Sequence, residues 1–290
     1  MRDTVAQMEE RLIIEGKTFD LVSRQRSAAG VYRATDEYLR IGPSAQIAKD
    51  LEMHRAMERA GYPVAKILSE GTYEGRSYFI EESLGETFRM RFTKEYETTG
   101  AVSDSTFNEM VAAVVRYLEP QSKAIVVSDS AQFATGIHLE ILKQELPEHA
   151  SRIQAKFEES LRSIKDFPYV ISHGDLNPSN ISARGVLDLE DSFPAPLGFD
   201  MASVLSTNEW FPGSGDYEYQ AKWKITEAQK SAYIMNLDDK LLRLGYPGFR
   251  ANYRYFEFCR IIWMVVRMHK TPKIQEWRYQ KMINEYCNCG

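Results

Sequence analysis

The sequence predicts an α+β protein, antiparallel strands plus one helix in its N-terminal part and mainly helices after it, arranged as one large domain or two lobes. Three observations predict it. Between residues 19 and 41, short runs of apolar and aromatic residues turn back on one another through polar, small-residue breaks, the pattern of a meander. From Phe88 to Asp166, apolar residues recur instead at helical spacing. A chain of 290 residues is also long enough to bury a substantial core.

Taken in order, Val5, Met8, Leu12 and Ile13 fall at helical spacing and predict an amphipathic helix over residues 4–15. Phe19 to Ser23 reads as a strand, Arg24 to Gly30 as a turn, Val31 to Ala34 as the returning strand and Tyr38 to Ile41 as a third. A helix from Ala45 to Ala60 is stopped by Gly61 and Pro63. Val64 to Leu68 leads on to Gly71, then to a turn at Glu74-Gly75 and a strand from Ser77 to Glu81. In the helical stretch, Phe107, Met110, Val111, Val114, Val115 and Leu118 form one apolar stripe, and Leu139, Leu142 and Leu146 another. Next come a strand at Tyr169 to Ile171, a loop, a short strand at Asn180 to Ser182, a turn at Ala183 to Gly185 and a strand from Val186 to Leu189.

Composition narrows the class. With 43% apolar and 27% charged residues the chain reads as globular. Lys plus Arg number 36 against 41 Asp plus Glu, a formal net charge of -5, so no basic field is offered to nucleic acid or an anionic membrane. Cys259, Cys287 and Cys289 lack the paired spacing of a zinc site and suggest no disulfide framework, which fits a reducing compartment. The N-terminus is charged, and the longest apolar run, Ile261 to Val266, is too short to span a bilayer, so a cytoplasmic protein is expected, as monomer or homodimer.

The chemistry is concentrated in Ile171-Ser172-His173-Gly174-Asp175-Leu176-Asn177-Pro178-Ser179-Asn180 and in Val186-Leu187-Asp188-Leu189-Glu190. One carboxylate of such a trio can take the proton of an attacking hydroxyl while an amide and a second carboxylate hold Mg²⁺ through hard oxygen atoms. Phosphoryl transfer asks mainly for positioning and charge neutralisation, and a rigid loop carrying this set is the minimum expected for it. The last ninety residues are expected to hold the acceptor, with Glu209, Trp210, Asp216, Tyr217, Glu257 and Trp263 as candidates. Carboxylates and aromatic faces together suit an amine-bearing small molecule.

His173-Gly174-Asp175 with Asn180, followed by Val186-Leu187-Asp188-Leu189-Glu190, resembles the H-G-D-x-x-x-x-N and I-D-x-E motifs of the aminoglycoside phosphotransferase and choline kinase superfamily, small-molecule relatives of the protein kinases. The resemblance implies a protein-kinase-like bilobal fold, with a small nucleotide-binding lobe over residues 1–84 and a larger catalytic and substrate-binding lobe over residues 85–290, and an ATP- and Mg²⁺-dependent kinase acting on a hydroxyl, with GTP left open. It implies Asp175 as catalytic base, Asn180 and Asp188 as magnesium ligands, and His173 and Asp200 as supports of the catalytic loop, Asp200 either capping a helix or bracing the loop by hydrogen bonds. Gly174 stands where protein kinases carry the Arg of H-R-D.

In the first lobe, Ser27-Ala28-Ala29-Gly30 resembles the turn that covers the nucleotide phosphates, so Ser27 and Gly30 are expected at the nucleotide. Arg40 stands where the family usually has the Lys that grips phosphate, and its anionic partner is expected from the following helix: Asp50 on the buried side, Glu52 as the fallback. Glu82-Ser83-Leu84 matches the hinge whose backbone meets the adenine. The resemblance runs from about residue 19 to about residue 205. Asp188 to Ser192, Gly198-Phe199-Asp200 and Glu209-Trp210 also look like choline kinases, so a choline or ethanolamine kinase is the alternative. A catalytically silent nucleotide-binding pseudokinase is the alternative of another class, and a part in antibiotic resistance is left open.

Overall fold

Glu15 and Gly16 both have positive φ, 52° and 75°, and make the tight turn between strand β1 (Arg11–Ile14) and strand β2 (Lys17–Arg24). The expected helix over residues 4–15 is therefore corrected over its second half, which is a strand; Val5 and Met8 lie outside the described residues. Leu12 and Ile14 are buried while Arg11 and Ile13 are exposed, an alternation of period two that only a strand produces. The computed structural model describes residues 9–24, 29–210, 223–267 and 272–287.

Strands β3 (Gly30–Arg33), β4 (Glu37–Gly42), β5 (Ile67–Tyr73) and β6 (Arg76–Glu82) extend the hairpin into a six-stranded sheet of order β1-β2-β3-β4-β6-β5, antiparallel throughout. Each face has its own core. Leu12, Phe19, Tyr32, Leu39, Ile41, Tyr78 and Ile80 pack together, whereas Phe79 joins Ile47 and Leu51 of helix α1 (Ser44–Arg59). Leu39 and Ile41 belong to the first core, so the alternation of β4 turns Arg40 toward the α1 side, beside Phe79 and Glu81 of β6.

The chain divides into two compact units, residues 1–85 with 184–190, and residues 86–183 with 191–290. The division at 84/85 expected from the sequence gives way to a discontinuous one. Residues 184–190 cluster with the first unit because Val186 N–H donates to the Pro63 carbonyl at 2.8 Å and Val64 bridges Val186. Gly185 makes the approach, since a Cβ there would overlap the Pro63 carbonyl oxygen.

The second unit is mainly helical: α2 (Phe88–Thr99), α3 (Asp104–Gln121), α4 (Ser130–Gly136), α5 (Leu139–Glu145), α6 (Ala150–Ser163), α7 (Phe199–Glu209), α8 (Glu227–Arg243), α9 (Phe249–Arg267) and α10 (Pro272–Met282). The α+β class is as the sequence predicts: an antiparallel sheet with one helix in the N-terminal region, helices in the C-terminal region. Helix α9 is the central one, with Phe249, Phe256 and the run Phe258 to Val266 buried. No helix among the described residues is long and apolar enough to cross a membrane.

Strand β7 (Tyr169–Ser172) forms where expected, but its partner is β8 (Phe193–Pro196), which contains two prolines. The pair forms a two-stranded sheet in which β7 is also bridged at Val170 by Ile125, so β8 is the edge strand, where a missing N–H is tolerated. The strands expected at Asn180–Ser182 and Val186–Leu189 are not formed. Their extended pairing is limited to the single bridges Thr87–Ser182 and Val64–Val186, and Asp188, with φ of 63°, breaks the second stretch.

Candidate active site

In the second unit the loop after β7 is held from beneath by one carboxylate. Asp200, 1% exposed at the start of α7, accepts from Ser172 Oγ at 2.6 Å, His173 N at 2.8 Å, Gly174 N at 3.1 Å, Tyr117 Oη at 2.9 Å and Gln121 Nε2 at 2.6 Å. Of the two structural roles open to it, bracing is the one found; the α7 cap position is Gly198, with no side-chain cap bond. His173 is fully buried, and its Nδ1 accepts from Asp175 N at 3.3 Å. Asn177 Nδ2 and Asn180 Nδ2 both donate to the Asp175 carbonyl, at 3.1 and 2.9 Å. The backbone of Asp175 is thus fixed from both ends, and its side chain remains 30% exposed.

The loop leaves no room for a side chain at position 174. Gly174 has φ of 80°, and a Cβ on it would overlap the Asp191 carbonyl oxygen. A cation nevertheless reaches the loop. Arg260 of α9, its side chain only 3% exposed, donates from Nη1 to the Gly174 carbonyl and from Nη2 to Asp175 Oδ1, both at 2.6 Å. Its guanidinium lies 4.0 Å from the Trp263 ring centroid. Burial pulls the Arg260 pKa down from its usual value, against the raising effect of Asp175, Asp200 and Asp191.

In the first unit Arg40 is the organising cation. Its Nη1 and Nη2 lie 3.2 and 3.3 Å from Asp188 Oδ1 and its Nε 3.5 Å from Glu81 Oε1. Burial acts to lower its pKa, but Asp188, Glu81 and Asp50 outweigh this and the net shift is upward. The direct partners are therefore a strand carboxylate and Asp188, rather than the helix carboxylate expected from the sequence. Asp50 is buried and lines the same cleft, whereas Glu52 is exposed. Asp50 Oδ1 accepts from Gln46 Nε2 at 2.8 Å, and Arg40 acts on it through space. Glu81 was legible in principle, since period two from Phe79 places it on the Arg40 face.

Asp50 Oδ2 is buried with no hydrogen-bond partner among the described residues. Burial raises the Asp50 pKa, and Arg40 and Gln46 offset this only in part. A carboxyl raised in the fold favours folding fully below its unfolded pKa and loses that contribution as pH rises through the folded value. Asp50→Asn should therefore raise the thermal midpoint at pH 7, with the gain shrinking toward the ordinary carboxylate range. Melting curves at pH 7 and at acid pH check this, and a lower midpoint at pH 7 contradicts it.

At the expected hinge, Glu82 N–H donates to Lys66 O at 3.0 Å, and Ser83 N–H to Asp36 O at 2.8 Å. Arg184 takes the Ser83 carbonyl at 2.8 Å and Glu82 Oε2 at 2.9 Å. The Ser83 backbone is thus committed within the unit, and Leu84 is buried. Gly30 begins β3 beside Ala29 and is buried, while Ser27 lies outside the described residues.

Three of the six acceptor candidates are interior. Glu257 is 1% exposed and engaged by Tyr253 Oη at 2.7 Å, Arg254 Nη1 at 2.9 Å and Tyr286 Oη, so it serves as a core carboxylate and is corrected as a substrate ligand. Trp210 is 1% exposed, with its carbonyl accepting from Arg278 Nε at 3.0 Å, and is likewise core. Trp263 is buried, with Arg260 against its ring. Asp216 and Tyr217 lie outside the described residues, as does the side chain of Glu209. Aromatic residues at helical spacing here make core, the commoner use of such a pattern. Arg260 is the residue that sequence reasoning missed, because a contact across 85 positions leaves no local signal.

The model of the phosphotransferase enzyme family matches residues 18–233. Among solved structures, an aminoglycoside phosphotransferase APH(3'')-Id from Streptomyces rimosus is similar at a TM-score of 0.55 and 15% identity, over 84% of this chain and 92% of the other. The same protein in complex with ADP and streptomycin gives 0.54 and 13%, with the same coverage. An aminoglycoside-3'-phosphotransferase of type VIII gives 0.54 and 14%, over 86% of this chain and 94% of the other. These likenesses show the fold. No curated protein sequence matches this chain.

Proposed function

Because this chain belongs to the phosphotransferase enzyme family, whose model spans residues 18–233, we propose that it moves the γ-phosphoryl group of ATP to a hydroxyl of a small, amine-bearing molecule with Mg²⁺ as cofactor. The observation that carries this reading is the loop on Asp200: the N–H groups of His173, Gly174 and Asp175 and the carbonyls of Gly174 and Asp175 are all hydrogen-bonded, yet the Asp175 carboxylate remains partly open to a substrate. That is the disposition a general base needs. Asp175 accepts the proton of the acceptor hydroxyl as the hydroxyl oxygen attacks. The loop keeps the carboxylate in one place, so little reorganisation accompanies the transfer.

The donor chemistry fits Mg²⁺. Asn180 spends its Nδ2 on the Asp175 carbonyl, which orients its amide oxygen, and Asp188 is an exposed carboxylate, 40% accessible. Both offer the hard oxygen atoms that this ion prefers. When bound, Mg²⁺ supplies charge neutralisation on the phosphates. Arg40 is the cation assigned to the α and β phosphates, Gly30 and Ser27 to the turn over them, and the hinge at Glu82 to Leu84 to the base, through backbone groups other than the Glu82 N–H and the Ser83 N–H and carbonyl, which are already paired. In this role Arg40 exchanges part of its pairing with Asp188 and Glu81 for phosphate oxygen atoms.

The solved relative that carries ADP and streptomycin makes aminoglycosides the first acceptors to test. With Trp210, Glu257 and Trp263 committed to the interior, no aromatic cage for a quaternary ammonium is proposed from them. ADP release from Mg-ATP should rise with at least one member of a panel of aminoglycosides and amino alcohols and vanish with EDTA. Stimulation by choline alone would favour the choline kinase reading. Nucleotide binding without ADP release under any condition would make the chain a silent binding module.

A further inference from the structure

We infer that Arg260 is the positioning residue of the proposed reaction, the group that holds the Asp175 carboxylate in register for its acceptor hydroxyl. The inference rests on the reading of Asp175 as base and adds a residue that no motif in the sequence supplies.

Three observations support it. The first is the fork. Arg260 spends one guanidinium nitrogen on the Gly174 carbonyl and another on Asp175 Oδ1, each at 2.6 Å, so a single rigid plane fixes both the loop backbone and one carboxylate oxygen. The carboxylate is held by its Oδ1, which directs Oδ2 toward proton acceptance. The second is the cost. Arg260 is 2% exposed, and its Nε is buried with no hydrogen-bond partner among the described residues. Burying a guanidinium with one donor unsatisfied is expensive, and an apolar side chain would fill this helix position more cheaply. The cost is compensated by the face of Trp263, 4.0 Å away, and by the surrounding carboxylates Asp175, Asp191 and Asp200.

The third is steric. Position 174 can carry no side chain, because a Cβ there would overlap the Asp191 carbonyl oxygen and φ is 80°. A cation cannot therefore come from position 174, and the one present is delivered from another element. Helix α9 delivers it, with Arg267 two turns further on pairing to Asp191 and lying 5.5 Å from the same Trp263 ring. Arg267 leaves Asp175 to Arg260 alone among the described ion pairs.

The test compares Arg260→Lys, Arg260→Gln, Asp175→Asn and the double variant Asp175→Asn/Arg260→Gln with the wild type. Each is assayed for ADP release from Mg-ATP with water and with streptomycin as acceptors, and for Mg-ATP affinity by calorimetry. Arg260→Gln is expected to lower kcat by about 10²-fold with the KM for ATP and the calorimetric affinity within about threefold, the loss expected of a misplaced reacting group. Arg260→Lys, which keeps the charge but loses the fork, should recover part of that loss. In the Asp175→Asn background, Arg260→Gln should cost about nothing further, because a residue that acts through Asp175 has nothing left to act on.

If Arg260→Gln keeps kcat within about twofold of wild type, or if its loss adds fully to that of Asp175→Asn, the positioning role is wrong. If Asp175→Asn itself keeps full turnover, the reading of the reaction is wrong, a separate and recognisable failure. Should Arg260→Gln fail to fold, Arg260→Lys carries the same comparison, with an unchanged kcat counting against the role.

Discussion

Asp175→Ala is expected to lower turnover by about 10²–10⁴-fold, the usual worth of a positioned general base, while leaving the affinity for Mg-ATP within about threefold. The specificity of the loss follows from how the loop is built. Asn177 and Asn180 hold Asp175 by its backbone carbonyl, and His173 holds it by its backbone N–H, so truncation of the side chain leaves those bonds in place. What it does remove is the anion opposite Arg260, whose side chain is only 3% exposed. Some stability is lost with it, because a buried charge without its partner is costly. Asp175→Asn keeps an acceptor for Arg260 and separates the two effects. Steady-state ADP release together with a thermal melt distinguishes them, and full turnover in either variant contradicts the assignment.

Asp200→Ala should have the largest effect on stability. Its carboxylate accepts from two backbone N–H groups, two hydroxyls and one amide, all from residues that are themselves buried or nearly so. Alanine removes their shared acceptor, although Gly174 N–H keeps Ser172 Oγ and Gln121 Nε2 keeps the Ile171 carbonyl; at roughly 1–3 kcal/mol for each donor left unsatisfied, the total is several kcal/mol. For a chain of this size that lowers the thermal midpoint on the order of 10 °C, read by circular dichroism. Activity should fall as well, because the same bonds set the path of the chain through His173 and Gly174. Asp200→Asn retains the shape but presents an amide donor to other donors, so it should fall between alanine and wild type. A melt within about 2 °C of wild type for alanine would show that the loop holds itself without the brace.

Much of the fold was legible because it is written in local patterns. The turn at Glu74-Gly75, the stop at Gly61-Tyr62-Pro63 and the stripe from Phe107 to Leu118 each depend on neighbours a few residues apart, and each forms where expected. The N-terminal strand was misread because Val5, Met8 and Leu12 satisfy helical spacing, whereas Leu12 and Ile14 satisfy strand spacing over only four residues. The turn chemistry of Glu15-Gly16 was the tie-breaker. Strand β8 hid behind Pro194 and Pro196, which argue against a strand everywhere except at an open edge.

The site divides in the same way. Asp175, Asn180 and Asp200 announce themselves by spacing within or near one motif. The Arg40 partners required knowing which strand lies beside β4, and Arg260 required knowing that α9 runs beneath the loop. Glu257, Trp210 and Trp263 show the opposite failure. Their residue types suggested a pocket, but helical spacing among aromatic residues is first of all the signature of burial.

The return of residues 184–190 to the first unit carries a consequence for how this gene could be divided. The chain passes from one unit to the other at Gly85, at Ala183 and again at Glu190. A break at residue 85 would therefore yield an N-terminal fragment in which Arg40 has lost Asp188 and the Pro63 carbonyl has lost Val186, and a C-terminal fragment carrying a seven-residue segment with no sheet to rest on. The two units are interleaved along the sequence, so neither corresponds to a single contiguous block of it.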